Sequence, residues 1–342
     1  MTAQGAPAAG YVYRAVDRSI LLPYFTAYYL PLFYRWVPRR MTANQITLAS
    51  SGLMWLMVCL LEGGVTRSSW AIAASFCILL HAYVVGDYLD GMHARKTRTS
   101  SPLGEFLDHY LDIWNGQISV FVAFALVGTA PGWACYATLW AVLMGFGATV
   151  MERRERGELH FGPFGTLEAF ALVLVFALSW LFPPVRDFWR LPGVGGLAHY
   201  WVLVIVTIGA FLGVTLQAIR RVGHCPREFA LFGLLSGLLA GMLAVDGVAL
   251  DGGGLILALF GADFIGRTMG AYLCQRPAPR ADRAVLLWMA PLIFDRIWPV
   301  LSEATRNSLF GLLGLYVLVR AACSLAVILS DLRHHWRWAN TS

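Results

Sequence analysis

Charge is the scarcest commodity in this sequence. Only 13% of its 342 residues are Asp, Glu, Lys or Arg, while 58% are hydrophobic; a soluble domain carries about 25% charged residues. An ordinary soluble fold is thereby excluded. Lysine is almost absent: Lys96 stands alone among 26 basic residues, and arginine supplies the rest of a formal charge of +6. The arginines cluster between apolar stretches, where anionic headgroups meet them, so the positive charge does not argue for nucleic acid. No CxxC pair is present, and the six cysteines (Cys59, Cys77, Cys135, Cys225, Cys274 and Cys323) lie mostly inside or at the ends of apolar runs. They read as reduced packing thiols. Equally absent are an HxxxH zinc pairing and a repeat of roughly 20 to 50 residues. The opening MTAQGAPAAGYVYRAVDRS lacks the charged start, compact apolar core and cleavage site of a signal peptide.

What fills the chain is apolar helix. A run of about 20 residues crosses a hydrocarbon core about 30 Å thick, and ten such runs are legible, near 46–64, 69–90, 104–128, 131–151, 166–183, 199–220, 227–246, 254–274, 284–301 and 308–331. Before them, residues 13–40 mix aromatics with arginine and are interrupted by prolines, which suits an amphipathic helix lying in the interface. The expected fold is therefore all-α and polytopic, with about ten transmembrane helices. Three sequence regions follow: an interfacial segment (1–45), a first set of helices (46–183) and a second set with a basic tail (184–342). Glycine runs at 193–196 and 251–254 read as loops.

Arginine sets the orientation. Arg14, Arg18, Arg35, Arg39 and Arg40 precede the first run, and Arg333 and Arg337 follow the last. With ten spans, the loops on that same side carry Arg95, Lys96 and Arg98, then Arg153, Arg154 and Arg156, then Arg220, Arg221 and Arg227, then Arg276, Arg280 and Arg283; the other side has only Arg67, Arg186, Arg190 and Arg306. Both termini are expected in the cytoplasm. The preference for arginine over lysine points to a GC-rich genome and hence to a bacterial inner membrane.

One cluster breaks the apolar pattern. Asp87 and Asp90 end the second run, and Asp108 and Asp112 begin the third. Spacings of three and four put each pair on one helical face, and antiparallel packing brings the pairs together. An aspartate at a span centre costs about 2.5–3.5 kcal/mol, less near the interface, and four together repel one another. Hard divalent ions compensate such a cluster, and Mg²⁺ keeps waters that a phosphate can displace. Gly91, Ala94 and Gly104 lack bulk and allow close approach, while Arg95 offers a planar fork to a diphosphate. Singly, each aspartate reads better as a solvated helix end balanced by Arg95, Lys96 and Arg98; the whole pattern does not. His81 lies within two turns of Asp87 and reads as a neighbour of the cluster; Asp263 and Arg267, four apart, read as a neutralising ion pair.

The stretch 87–112 resembles the CDP-alcohol phosphotransferase family, whose signature DxxDGxxAR, eight residues, GxxxDxxxD is matched at every fixed position. The resemblance implies two Mg²⁺ or Mn²⁺ ions at Asp87, Asp90, Asp108 and Asp112, with the CDP moiety near Gly91, Arg95 and Gly104. SSPLGEFLDHYLD, ANQITLASSG, GTLEAFAL and LIFDRI are similar to stretches of the ten-span choline and ethanolamine phosphotransferase branch, with Tyr110 and Ala43 replacing that branch's glycine and proline. That likeness adds Asn44 as a donor-site contact and Glu168 as a cavity residue.

The expected activity is transfer of a phosphoalcohol from a CDP-alcohol to a lipid hydroxyl such as that of diacylglycerol, with CMP released. Asp112 is the family's usual base; because metal binding and proton abstraction compete for one carboxylate, His109 and Glu168 stand beside it. Expected partners are the CDP-alcohol, the lipid acceptor, membrane lipids and, as an open alternative, a second copy of the chain. A CDP-diacylglycerol-dependent transferase is the rival within the family, and a polytopic transporter or a non-catalytic scaffold the rivals outside it.

Overall fold

The computed structural model describes residues 14–38, 40–64, 68–162 and 165–338. Arg39, Arg67 and most of the opening stretch 1–19 lie outside these residues, as does the side chain of Arg337. Among the described residues the architecture is helical, apart from a pair of three-residue parallel strands, β1 (Ala15–Asp17) and β2 (Leu159–Phe161), and an isolated bridge between Pro192 and Ala198. Strands this short leave no alternation in the sequence to detect.

The expected interfacial segment is a near-continuous helical stretch: α1 (Leu22–Tyr24), a π-helical turn (Phe25–Tyr29) and α2 (Leu30–Tyr34). Pro31 has no N–H to offer Ala27 and its ring crowds that carbonyl, which accounts for the widened turn immediately before it. One face is apolar and covered, with Leu30 buried among Ile46, Val85 and Leu89 and with Phe25, Phe33 and Tyr34 packed around it. Its other face exposes Tyr24, Tyr28, Leu32 and Trp36, the aromatic surface of an interfacial helix.

The long helices follow as α3 (Ala43–Glu62), α4 (Ser69–Thr97), α5 (Pro102–Val127), α6 (Gly132–Arg156), α7 (Thr166–Ser179), α8 (Pro183–Arg190), α9 (Tyr200–Val222), α10 (Arg227–Val245), α11 (Leu250–Leu273), α12 (Val285–Ile297) and α13 (Glu303–Trp338). Among the described residues, eight are long and apolar enough to cross a membrane, and α7 with α8 makes a ninth if their pair, bent by 110°, is one span. The chain is a multi-pass membrane protein. Two of the ten expected runs differ from simple spans. The run at 166–183 ends at Ser179 and turns sharply into α8, and the run at 284–301 shrinks to the 13 residues of α12, with Pro291 inside. Thirteen residues rise only about 20 Å, short of the hydrocarbon core.

The chain divides into two compact units, Met1–Thr129 with Gly157–Ile205 and Arg333–Ser342, and Ala130–Arg156 with Val206–Leu332. In the first, α4 packs against α2, α3, α5 and α7. Its approach to α3 depends on Gly86, where a Cβ would lie 2.6 Å from the Ser50 Cβ. Thr42 starts α3 in a capping box with Gln45, and Ser101 caps α5 by accepting from the Gly104 N–H at 3.1 Å, with Pro102 in the first helical position. Only residues 98–101 separate α4 from α5, so the two helices must run back along each other.

In the second unit, α6 packs on α10 and α11. The glycines at 252–254 are helical, within α11, and so do not form the expected loop. Their role is steric: a Cβ on Gly253 would collide with the Tyr136 hydroxyl, which donates instead to the Val248 carbonyl at 2.9 Å. Asp263 forms the expected ion pair with Arg267 at 2.7 Å, and also binds Arg320 at 3.2 Å and the Ser324 hydroxyl at 2.6 Å. All six cysteines are unpaired, with Cys77, Cys135 and Cys274 buried and Cys59, Cys225 and Cys323 exposed.

Replacing Gly86 by Val should force α3 and α4 apart and lower stability by about 1–3 kcal/mol, read as a drop in the thermal midpoint of the detergent-purified protein. Gly52→Ala on α3, with no atom within 4 Å of the added Cβ, should leave that midpoint unchanged or slightly raised.

Candidate metal centre

Carboxylates from the two antiparallel helices meet. Asp87 on α4 and Asp108 and Asp112 on α5 each offer an oxygen within 4.8 Å of the others. Asp90, the fourth expected member, is 5% exposed and turns toward α3, where its Oδ2 accepts a hydrogen bond from the Thr47 hydroxyl. The structure thus brings three carboxylates together and holds the fourth beside them by a separate contact. Three such groups repel one another unless a proton or a cation lies among them. Hard oxygen donors at this spacing fit a divalent ion of the Mg²⁺ or Mn²⁺ class.

The small residues expected at the donor site each face a polar side chain. Arg95 folds back over Gly91, so a Cβ there would lie 3.2 Å from its guanidinium Nη1. Asn44 sits against Gly104, where a Cβ would lie 3.1 Å from Oδ1. Ala94 is half-buried one residue before the exposed Arg95. Gly91 and Gly104 therefore keep clear the space in which an arginine fork and an asparagine amide reach from α4 and α3. Tyr110 stacks on Phe106 at 5.3 Å.

The three base candidates stand in different settings. Asp112 belongs to the carboxylate group, and its Oδ1 accepts from the Tyr83 hydroxyl at 2.7 Å. His109, one residue from Asp108, has Nδ1 3.9 Å from Asp108 Oδ2. Glu168 is committed to other work: Oε1 accepts from the Ser19 hydroxyl at 2.6 Å and the Leu21 N–H at 2.9 Å, and Oε2 from the Gly165 N–H at 2.8 Å. It caps its own helix and ties the start of the interfacial segment to α7.

His81 does not reach the carboxylates; its Nε2 pairs with the Tyr29 hydroxyl at 2.7 Å, and Phe33 packs edge-on against its ring. It docks the interfacial helix instead. The side chains that donate hydrogen bonds to the aspartates from neighbouring positions include Tyr83, to Asp112, and Thr47, to Asp90. Tyr83 precedes Asp87 by four positions and so shares its helical face, a signal present in the sequence.

With this geometry in place, residues 40–214 match the CDP-alcohol phosphatidyltransferase family. The chain belongs to that family. The match covers α3, α4, α5 and α7, all the helices that build the centre. Among its relatives, the choline/ethanolaminephosphotransferase 1 of Saccharomyces cerevisiae is 28% identical over 173 residues, 48% of this chain and 44% of that protein. The cholinephosphotransferase 1 of Bos taurus is 32% identical over 177 residues, 49% of this chain and 42% of that protein. A Dictyostelium discoideum protein, described as an uncharacterized CDP-alcohol phosphatidyltransferase class-I family protein, is 24% identical over 341 residues, 94% of this chain and 81% of its own length. The Dictyostelium protein apart, the chain spans less than half the length of these relatives. All three are eukaryotic, which speaks against the bacterial inner membrane suggested by the arginine bias.

In this family member, Asp108→Asn and Asp112→Asn should each weaken Mn²⁺ binding by at least about tenfold, measured from the free-ion paramagnetic resonance signal of the purified protein. Glu168→Gln should leave Mn²⁺ binding unchanged and lower the thermal midpoint, because its contacts are with the N-terminal segment.

Proposed function

We propose that the chain is an integral membrane transferase that moves a phosphoalcohol, of the phosphocholine or phosphoethanolamine type, from a CDP-alcohol to the hydroxyl of a lipid such as diacylglycerol. The observation that carries this reading is the convergence of Asp87, Asp108 and Asp112 beside the Gly91–Arg95 and Asn44–Gly104 pairs. The names of the yeast and bovine relatives support it. The reading also puts both termini on the cytoplasmic side with the carboxylates, as the arginine distribution favours for an even number of spans.

Asp87, Asp108 and Asp112 would hold a first divalent ion, Mg²⁺ or Mn²⁺, and Asp90 would contribute to a second. When bound, such ions neutralise diphosphate oxygens and the charge that builds up as the leaving group departs. Arg95 supplies a fixed cationic fork to the same diphosphate, while Asn44 and the open surfaces of Gly91, Ala94 and Gly104 receive the cytidine end. The acceptor oxygen forms a bond to the β-phosphorus as the bond from that phosphorus to the bridging oxygen breaks. The electron pair leaves with CMP, and the acceptor's proton goes to a protein base. Holding both substrates in line supplies much of the acceleration.

For that base we favour His109 over Asp112. Asp112 is shared between the carboxylate group and Tyr83, and both oxygens of Glu168 are already engaged by N–H and O–H donors. The imidazole lies beside Asp108, so the imidazolium formed on taking a proton is stabilised by a neighbouring carboxylate.

Purified protein in lipid nanodiscs, given Mg²⁺, diacylglycerol and radiolabelled CDP-choline or CDP-ethanolamine, should yield a labelled lipid on thin-layer chromatography. Label incorporated only from CDP-diacylglycerol would move the assignment to a phosphatidyl transfer. His109→Gln should lower kcat by about 10²-fold or more with Mn²⁺ affinity retained, whereas Asp112→Asn should lose both.

A further inference from the structure

Beneath the carboxylates lies a buried polar chain that joins three helices. Tyr83 on α4 is 1% exposed. Its hydroxyl donates to Asp112 Oδ1 on α5 at 2.7 Å, and the Asn115 side chain, one turn further along α5, lies against the same hydroxyl. Asn115 in turn donates from Nδ2 to the Ser51 Oγ of α3 at 2.8 Å, and the Ser51 hydroxyl lies 3.0 Å from Asn115 Oδ1. Asn115 is 1% exposed and Ser51 3%. A fourth helix closes the arrangement, since Phe170 of α7 meets the Tyr83 ring edge-on at 5.4 Å.

We propose that Tyr83 is a positioning residue for the metal centre, holding Asp112 Oδ1 so that the carboxylate keeps its place beside Asp87 and Asp108, with Asn115 and Ser51 anchoring the phenol across α3 and α5. The proposal rests on the reading of the three carboxylates as a divalent-ion site. A carboxylate on a free rotor loses entropy when it binds an ion, and a ligand already aimed by a buried donor has lost that freedom on folding. A phenol suits the place: its ring packs as an apolar surface among the helices and its one donor reaches the carboxylate. The chain Ser51–Asn115–Tyr83–Asp112 also couples the spacing of α3, α4 and α5 to the aim of a single ligand, so a displacement of α3 is felt at the centre.

The test uses the full-length protein and Mn²⁺ alone, without substrate. Tyr83→Phe keeps the ring and removes only the donor. It should weaken Mn²⁺ binding by about 10- to 100-fold, shift the Mg²⁺ concentration for half-maximal transfer upward in parallel, and leave the thermal midpoint of the metal-free protein nearly unchanged. Ser51→Ala, a smaller change at the far end of the chain, should weaken Mn²⁺ binding in the same direction by a few-fold, and it decides the matter if Tyr83→Phe does not fold. Parent-like Mn²⁺ affinity in the folded variant overturns the positioning role while leaving the metal site in place. A parent protein that takes up no Mn²⁺, or an Asp108→Asn variant that binds it as the parent does, overturns the metal reading and the positioning proposal together.

Discussion

Mutual repulsion among three carboxylates is the constraint around which the first unit of this protein is organised. Asp87, Asp108 and Asp112 each bring an oxygen within 4.8 Å of the others, in a chain whose surroundings are otherwise apolar. Such a group is stable only with a cation or protons among its members. Each nearby device keeps the cluster assembled or keeps space beside it open. The short connection between α4 and α5 sets the helices antiparallel. Gly86 lets α3 come close to α4, and α3 then supplies Thr47 to Asp90 and Ser51 to Asn115. The absence of a side chain at 91 leaves room for Arg95, and at 104 for Asn44.

The N-terminal segment depends on this core as well. Its apolar face packs against residues next to the aspartates, Val85, Leu89 and Tyr88, while Tyr29 pairs with His81 and Glu168 accepts from Ser19 and Leu21. Its opposite face presents Tyr24, Tyr28 and Trp36 to the surroundings. An element seated in the membrane interface is thereby fixed by hydrogen bonds to two helices of the metal centre. Glu168 matters to the site through that attachment, and three of its roughly four lone-pair sites are already taken by N–H and O–H donors.

Much of this was legible in the sequence because the physics is periodic. Apolar runs marked the long helices, arginine marked their ends, and aspartates three and four apart marked the faces that meet. What escaped has identifiable causes. The brevity of α12 follows from the break after Ile297, where Trp298 is extended and precedes Pro299, a boundary that hydropathy alone does not register. Glycines at 252–254 looked like a loop because a sequence cannot show that Tyr136 lies against Gly253. Asp90 shares its helix with Asp87, yet its partner is Thr47 of another helix, and such pairings depend on how helices rotate against each other. Tyr83 stood one turn from Asp87 in the expected register, but among many tyrosines its role emerges only when Asp112, Asn115 and Phe170 are seen around it.

The proposed chemistry requires that Asp87, Asp108 and Asp112 form a divalent-ion centre. Crystals of the full-length protein grown with Mn²⁺ and measured at the manganese absorption edge test it most directly. The expected result is an anomalous peak coordinated by oxygens of all three aspartates at about 2.0–2.4 Å. A Mn²⁺-saturated protein with no peak among these carboxylates, or with its ions bound elsewhere, would contradict it.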